Sequence, residues 1–224
     1  MKEEGKMGRF TEALILYIVL FFSGTAGSFL NGAQKADFSI TAQIAGILLH
    51  IIPSLALIWY LVLKARRIED WIIRPGRKDL VSVLVTLPCL LLIGAATYFV
   101  SLFIGGAQAQ ISPNSSPSGV PGWIVLCVWC ICAAYLEESY FRYYLLTRND
   151  ELNLDSSSAL VLSTALFAIC HIYEGPWGFL NAALSGAFLC FIFLRLNSLH
   201  GTAIAHGLYN ILAYAVNMIM ADKV

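Results

Sequence analysis

Several ionisable side chains lie inside long apolar stretches of this sequence, where a charge is costly. Glu137, Glu138 and Arg142 fall in one such stretch, and His171 and His206 fall in two later ones. A charged side chain at the centre of a bilayer costs about 2.5–3.5 kcal/mol even on a lenient insertion scale, so such residues are functional candidates by default. Carboxylates and imidazoles together suit general acid–base chemistry.

The spacing of these residues predicts which of them share a helix face. Glu138 and Arg142 lie four residues apart, so we expect their side chains to pair. Glu137 is rotated by about 100° from Glu138 and need not share that pair. His206 and Asn210 are also four apart, which places an imidazole and a carboxamide on one face.

Three motifs follow one another on separate apolar stretches. They are Glu-Glu-x-x-x-Arg from Glu137, Phe-x-x-x-His ending at His171, and His-x-x-x-Asn from His206. In this order they resemble the CAAX prenyl endopeptidase and bacteriocin-processing family (CPBP, or Abi), whose eukaryotic members are the Ras-converting CAAX endopeptidases. The resemblance covers about residues 120–215 and implies an α-helical intramembrane protease.

The resemblance also implies a role for each motif residue in amide hydrolysis. This reaction needs an activated water, a stabilised tetrahedral oxyanion and a proton for the leaving amine. By resemblance, Glu137 activates the water and His171 helps to hold or polarise it. His206 and Asn210 then bind the oxyanion, and the ion pair of the first motif supports the site. We therefore expect hydrolysis without a covalent intermediate.

Other functions of the same residues stay open. Glu137, His171 and His206 would make a three-ligand zinc site of the catalytic type. The sequence lacks the His-Glu-x-x-His pair that zinc peptidases place on one helix, so we expect no cofactor, with zinc as the alternative. Two noncatalytic hypotheses are a membrane immunity or peptide-binding protein and a transporter, although no internal repeat supports a transporter.

The elements that must position these residues are membrane helices. The chain has 224 residues, is 58% hydrophobic and 12% charged, and has a mean hydropathy of +0.74. Soluble domains carry about 25% charged residues, so this chain lacks the charge to cover a surface in water. We predict an all-α polytopic membrane bundle of about seven to eight helices. Residues 1–224 would form one integral membrane domain, with the catalytic core at about 120–215.

Seven apolar stretches come close to the length that crosses a hydrocarbon core of about 30 Å. Helices are the expected form, because lipid cannot satisfy the polar groups of an open backbone. We predict spans at 11–31, 40–63, 80–104, 121–147, 157–173, 177–195 and 200–220.

The basic residues predict the orientation of these spans. With the N-terminus in the cytoplasm, twelve of the fourteen Lys and Arg residues face that side, and only Lys35 and Lys223 face the other. The basic segment 64–79 would then lie at the cytoplasmic interface, and the turn-rich segment 105–122 would lie outside. We expect the active site in the cytoplasmic half of the bilayer.

The remaining composition bears on partners. Fourteen acidic residues balance the basic ones, so we expect no nucleic acid. The expected partners are membrane lipid and a lipidated or hydrophobic peptide substrate.

The six cysteines lie in apolar stretches and are expected to be ordinary helix residues. We expect no dyad between Cys170 and His171, because adjacent helical side chains diverge by about 100°. His50 and His200 stand outside the motifs and are expected to be structural or interfacial.

Overall fold

The computed structural model describes residues 2–22, 39–64, 74–104, 117–150, 152 and 154–221. Over these residues the chain forms seven helices and no strand, which confirms the predicted all-α bundle. Each predicted span overlaps one of the helices. They are α1 (Lys2–Tyr17, continued by a π-helical turn at Ile18–Phe22), α2 (Ile40–Lys64), α3 (Arg77–Ile104), α4 (Gly119–Thr147), α5 (Ser156–Cys170), α6 (Gly175–Leu196) and α7 (Leu199–Ala221).

Four of the described helices are long and apolar enough to cross a membrane. These are α2, α3, α4 and α6, the last counted with the short turn that precedes it. Their outward faces carry exposed apolar side chains, for example Leu49 (80% exposed) and Phe103 (89% exposed). Such faces require contact with lipid rather than water. α5 is apolar but only 15 residues long.

The helix α7 lies at the centre of the part of the fold that carries the motifs. It packs along α4 and α3, while α6 packs against α5 and α3. Two glycines permit its close approach. A Cβ at Gly201 would lie 2.7 Å from the carbonyl oxygen of Asp79, and one at Gly207 would lie 2.6 Å from Ile131 Cδ1. His206 is therefore held directly against α4.

A polar cluster fixes the point where α7 begins. The carboxylate of Asp79, at the start of α3, accepts hydrogen bonds from the Ser198 hydroxyl and from the Gly76 amide, the latter at 2.7 Å. Lys78 Nζ donates to the carbonyl of Asn197 at 2.9 Å. Because Asn197 and Ser198 form the turn between α6 and α7, these bonds tie that turn to α3.

The N-terminal helix is joined to the motif-bearing helices by buried tyrosines. Tyr17 Oη donates to the carbonyl of Leu166 in α5 at 3.1 Å. Tyr140 Oη of α4 donates to the carbonyl of Ala13 at 2.7 Å. Some predicted features lie outside the described residues: the end of the first span (23–31), most of the interfacial segment (65–73) and most of the outer loop (105–116).

Candidate active site

The ion pair predicted for the first motif is present in the interior of the bundle. Arg142 Nη1 lies 3.0 Å from Glu138 Oε1, and both side chains are 0% exposed. Arg142 Nη2 also donates to the carbonyl of Gly186 in α6 at 3.3 Å. A buried charge that loses its partner is strongly destabilising. The pair therefore fixes the position of α4 against α6.

Phe167, the aromatic residue of the second motif, fills the space between the charged groups. Arg142 Cζ lies 4.4 Å from the centroid of its ring, a cation–π contact. The same centroid is 4.7 Å from that of His171 and 5.8 Å from that of His206. Gly186 leaves room for the ring, since a Cβ there would lie 2.8 Å from Phe167 Cδ1. One ring thus packs against all three motifs.

His206 joins the third motif to both glutamates. Its Nδ1 lies 2.9 Å from Glu138 Oε1, and its Nε2 lies 3.6 Å from Glu137 Oε2. A carboxylate can only accept hydrogen bonds, so with Glu138 paired as a carboxylate to Arg142, Nδ1 carries a hydrogen and donates it to Glu138. Only Nε2 is left to face Glu137. A second donor at Nε2 therefore requires the doubly protonated imidazolium.

His171 stands where α5 ends and is oriented by its own helix. Its Nδ1 lies 2.8 Å from the carbonyl oxygen of Phe167, one turn earlier. A carbonyl can only accept, so Nδ1 carries the hydrogen and a neutral ring keeps its lone pair at Nε2. This tautomer suits a group that accepts a hydrogen bond or a proton at Nε2.

A cavity of about 640 Å³ is lined by all four side chains expected to be catalytic: Glu137, His171, His206 and Asn210. Glu137 Oε2 is buried and has no hydrogen-bond partner among the described residues. A buried acceptor without a donor is costly, so this oxygen is an acceptor for whatever enters the cavity. Asn210, one turn after His206 on α7, offers a carboxamide to the same space.

The cavity also presents polar side chains that the motifs do not predict. Asn181 Nδ2 of α6 donates to Tyr209 Oη of α7 at 3.0 Å, and Thr97 Oγ1 of α3 lies 3.4 Å from Asn181 Oδ1. Ser185, one turn after Asn181, lines the cavity with a buried hydroxyl that has no partner among the described residues. The four-residue spacing of Asn181 and Ser185 within an apolar span was the available signal.

A second carboxylate lies on the cavity wall. Glu174 belongs to the 3₁₀ turn Ile172–Glu174 between α5 and α6, and it lines the cavity. Sequence reasoning missed it because only ionisable residues within predicted spans were candidates, and residue 174 falls between the spans 157–173 and 177–195. The signal that could have found it is an acidic residue inside the aromatic stretch His-Ile-Tyr-Glu-Gly-Pro-Trp.

Cys170, His50 and His200, also considered from sequence, do not line the cavity. Cys170 Sγ lies 3.5 Å from Tyr17 Oη rather than against His171, and none of the six cysteines, all of them described, forms a disulfide. His200 Nδ1 lies 3.0 Å from Tyr135 Oη. His50 is exposed on α2. Neither of these two histidines lines the cavity.

The alternative zinc ligands are Glu137, His171 and His206. Among the residues that the structure describes, no group of three or more His, Cys, Asp or Glu side chains is arranged to hold a metal ion. Glu137, His171 and His206 are all described. Each imidazole has its Nδ1 bonded to another group, which leaves only the two Nε2 atoms. A histidine that donates its Nδ1–H to an oxygen can still ligate a metal through Nε2, so zinc stays the alternative to be tested.

Part of the chain matches a known protein family. Residues 119–212 match the family described as Type II CAAX prenyl endopeptidase Rce1-like. The matched segment begins with α4, ends within α7 and contains all three motifs, which confirms the resemblance drawn from them. No curated protein and no solved structure matches the chain.

Proposed function

The Rce1-like family of type II CAAX prenyl endopeptidases accounts for residues 119–212, and from this premise we propose that the chain is an intramembrane endopeptidase. Its substrate would be a membrane-associated peptide, either prenylated at a CAAX-type terminus or bacteriocin-like, with lipid as the surrounding partner. The observation that carries the proposal is the single cavity shared by Glu137, His171, His206 and Asn210.

The proposed reaction begins with Glu137 as general base. Its Oε2, which has no hydrogen-bond partner among the described residues, accepts a proton from a water while the water oxygen attacks the carbonyl carbon of the scissile bond. His171 Nε2 accepts a hydrogen bond from the same water and so orients its lone pair. The Phe167 carbonyl supports this role, because it holds the hydrogen of His171 on Nδ1.

The second step is stabilisation of the negative charge on the carbonyl oxygen. Two donors are proposed: Nε2–H of His206 and Nδ2–H of Asn210. For His206 this requires the imidazolium, which would lie between two carboxylates. Its Nδ1–H donates to Glu138, and its Nε2 lies 3.6 Å from the carboxylate of Glu137. Glu138 and Arg142 thus act through His206 as positioning residues.

The third step breaks the amide. The carbon–nitrogen bond opens as the protonated Glu137 gives its proton to the leaving nitrogen, which departs as an amine. The other product is a carboxylic acid, and Glu137 returns to its charged form. The reaction consumes one water and needs no covalent intermediate. We propose that it needs no cofactor, and zinc is the alternative to be tested.

We also propose the predicted orientation in the membrane. The N-terminus would be cytoplasmic, and the catalytic groups would lie in the cytoplasmic half of the bilayer. The position of His206 supports this depth, because it is seven residues from the start of α7, or about 10 Å along the helix axis.

Peptide cleavage by the purified, lipid-reconstituted protein tests the proposal. Candidate peptides are scanned with the wild type, with Glu137→Gln and with Asp155→Asn, which removes a carboxylate outside the cavity. We expect cleavage that survives exhaustive chelation, is lost in Glu137→Gln and is retained in Asp155→Asn. Loss on chelation with recovery on adding zinc would establish the metal-dependent alternative. Equal cleavage by the wild type and Glu137→Gln would overturn the proposed mechanism.

A peptide-binding or immunity protein is distinguished in the same experiment. Binding of a peptide without cleavage by the wild type, across the whole panel, would replace the endopeptidase with that noncatalytic function.

A further inference from the structure

Glu174 places a carboxylate in the cavity that the proposed hydrolysis does not use. It precedes α6 directly, yet its side chain makes no capping hydrogen bond to that helix. Gly178, one turn into α6, leaves room for it. A Cβ at that position would lie 2.9 Å from Glu174 Oε2. The side chain is therefore directed along the cavity wall rather than used to cap the helix.

Several aromatic side chains share the cavity with this carboxylate. Tyr173, Trp177, Tyr209 and Tyr214 line the same cavity. Glu174 interacts electrostatically with the phenols of Tyr173, Tyr209 and Tyr214. A carboxylate among aromatic faces is the arrangement that binds an organic cation, since the charge and the ring quadrupoles attract it together.

The rings also connect Glu174 to the catalytic groups. The phenols of Tyr173 and Tyr214 each interact electrostatically with Glu137 as well as with Glu174. The ring of Tyr173 stacks near that of His171, with 6.4 Å between centroids. A cation beside Glu174 would therefore lie close to a peptide bond held at Glu137.

We propose that Glu174 and the rings of Tyr173, Trp177, Tyr209 and Tyr214 form a subsite for a positively charged group of the peptide substrate, either an ammonium or a guanidinium. Its identification as a substrate subsite rests on the proposed endopeptidase function. The same negative charge repels an acidic side chain or a free C-terminal carboxylate at this position. The preferred substrate thus carries a lysine or arginine within a few residues of the scissile bond.

Binding to a catalytically inactive variant tests the subsite without cleavage. The Glu137→Gln protein is kept in dodecyl maltoside, which has no ammonium group. It is titrated with peptides that differ only in carrying lysine, norleucine or glutamate at one position. Hydrogen bonds to a charged group contribute about 1.5–3 kcal/mol, so we expect the lysine peptide to bind at least about tenfold more tightly than the norleucine peptide.

Three further substitutions in the same background identify the carboxylate responsible. In Glu174→Gln the ratio of lysine to norleucine affinity should fall towards one, and in Glu174→Lys the glutamate peptide should become the preferred ligand. Gly178→Ala should lower the ratio by displacing the Glu174 side chain. Asp155→Asn should leave the ratio as it was. A lysine preference that is missing, or that survives in Glu174→Gln, overturns the proposal.

A lipid titration shows whether the cation bound at the subsite belongs to a lipid headgroup or to a peptide. Phosphatidylcholine is added to the same sample, because its headgroup offers the same ammonium chemistry. If Glu174→Gln weakens binding of phosphatidylcholine but not of the lysine peptide, the subsite belongs to a lipid and the proposal fails. The wild type could cleave no peptide while the lysine preference still depends on Glu174. That result would overturn the endopeptidase function and support the cation subsite.

Discussion

Glu137 and Glu138 are neighbours in sequence but belong to two different halves of the motif-bearing bundle. On the side of Glu138, α4 is enclosed, and all of residues 138–146 are buried. This packed half also contains the start of α7 and its contact with α3. On the side of Glu137, α4 borders the cavity together with α3, the end of α5, the start of α6 and the later part of α7. This second region is the cavity half.

The two carboxylates show what the difference does to one chemical group. Glu138 is 0% exposed and contacts Arg142 and His206, so its carboxylate holds α7 against α4. The side chain of Glu137 is 21% exposed, and its Oε2 has no hydrogen-bond partner among the described residues. The surroundings of a carboxylate set its role, as in other paired-carboxylate sites. Substitutions should therefore damage stability in the packed half and turnover in the cavity half.

The largest effect is expected in the cavity half, at His171. In His171→Asn the side-chain amide can still donate to the carbonyl of Phe167, but the acceptor at Nε2 is lost. His171 orients the water that Glu137 deprotonates, and general base catalysis contributes about 10²–10⁴-fold, so kcat should fall by up to that factor while the thermal unfolding midpoint stays unchanged. Peptide cleavage and detergent-phase melting measure the two quantities. His200→Asn, outside the cavity, is the matched control and should retain turnover.

A His171→Asn protein that cleaves within a few-fold of wild type would contradict the assignment of His171 to the reaction. A lower unfolding midpoint in His171→Asn would instead assign His171 a structural role, as for residues of the packed half.

The next effect is expected in the packed half, from Arg142→Met. This substitution leaves Glu138 buried without its guanidinium partner, and breaking such pairs costs about 3–5 kcal/mol. The double variant Glu138→Gln with Arg142→Met removes both charges and should recover much of that stability. Turnover should stay low in the double variant, because His206 loses the charge that holds its Nδ1–H. Reversible unfolding in mixed micelles gives the free energies.

If the double variant is no more stable than Arg142→Met alone, the uncompensated charge of Glu138 is not the cause of the lost stability. A double variant with full turnover would separate the ion pair from the function of His206.

A third effect compares two asparagines that line the same cavity from the same helix. Asn210 is proposed to donate to the oxyanion, whereas Asn217 lies two turns further along α7. Loss of one oxyanion donor typically lowers kcat by about 10²–10³-fold, so Asn210→Ala should do so with little change in KM. Asn217→Ala should cleave at the wild-type rate. Equal effects of the two substitutions on kcat would mean that cavity shape, not a specific donor, controls the reaction.

The contrast between the halves also explains what could be predicted from sequence. Contacts within one helix follow from its 3.6-residue period, so the pair of Glu138 with Arg142 and the shared face of His206 and Asn210 could be predicted. The positions of the seven helices could be predicted as well from the apolar stretches, although only four of the described helices are long and apolar enough to cross a membrane. The fold class and all seven helices follow from these two local rules.

Contacts between helices could not be predicted in the same way. The bond of His206 to Glu138 depends on how α7 approaches α4, which is decided by packing at Gly207 and not by spacing along the chain. The role of Phe167 as the common neighbour of three motifs depends on the same packing. Glu174 was missed for a different reason. It sits on a turn, and turns within a bundle are not marked by hydrophobic periodicity.

The smallest effect compares one glycine from each half at the contact between α3 and α7. A Cβ at Gly201, in the packed half, would lie 2.7 Å from the backbone oxygen of Asp79, which cannot move without shifting α3. A Cβ at Gly94, in the cavity half, would lie 2.7 Å from Tyr209 Oη, the end of a side chain that borders open space. Both alanines gain about 1 kcal/mol of helix propensity, so that term cancels between them.

Overpacking against fixed neighbours costs about 1–3 kcal/mol, so Gly201→Ala should be less stable than Gly94→Ala by that amount. Chemical unfolding of the two variants in the same micelles measures the difference. Turnover should follow the same order, because a shift of α7 at Gly201 moves His206 away from Glu138 one and a half turns later. Equal stabilities of the two variants would mean that α3 and α7 adjust as readily to a methyl group at Gly201 as to one at Gly94. In that case, something other than rigid packing around α7 would have to hold the imidazole between the two carboxylates.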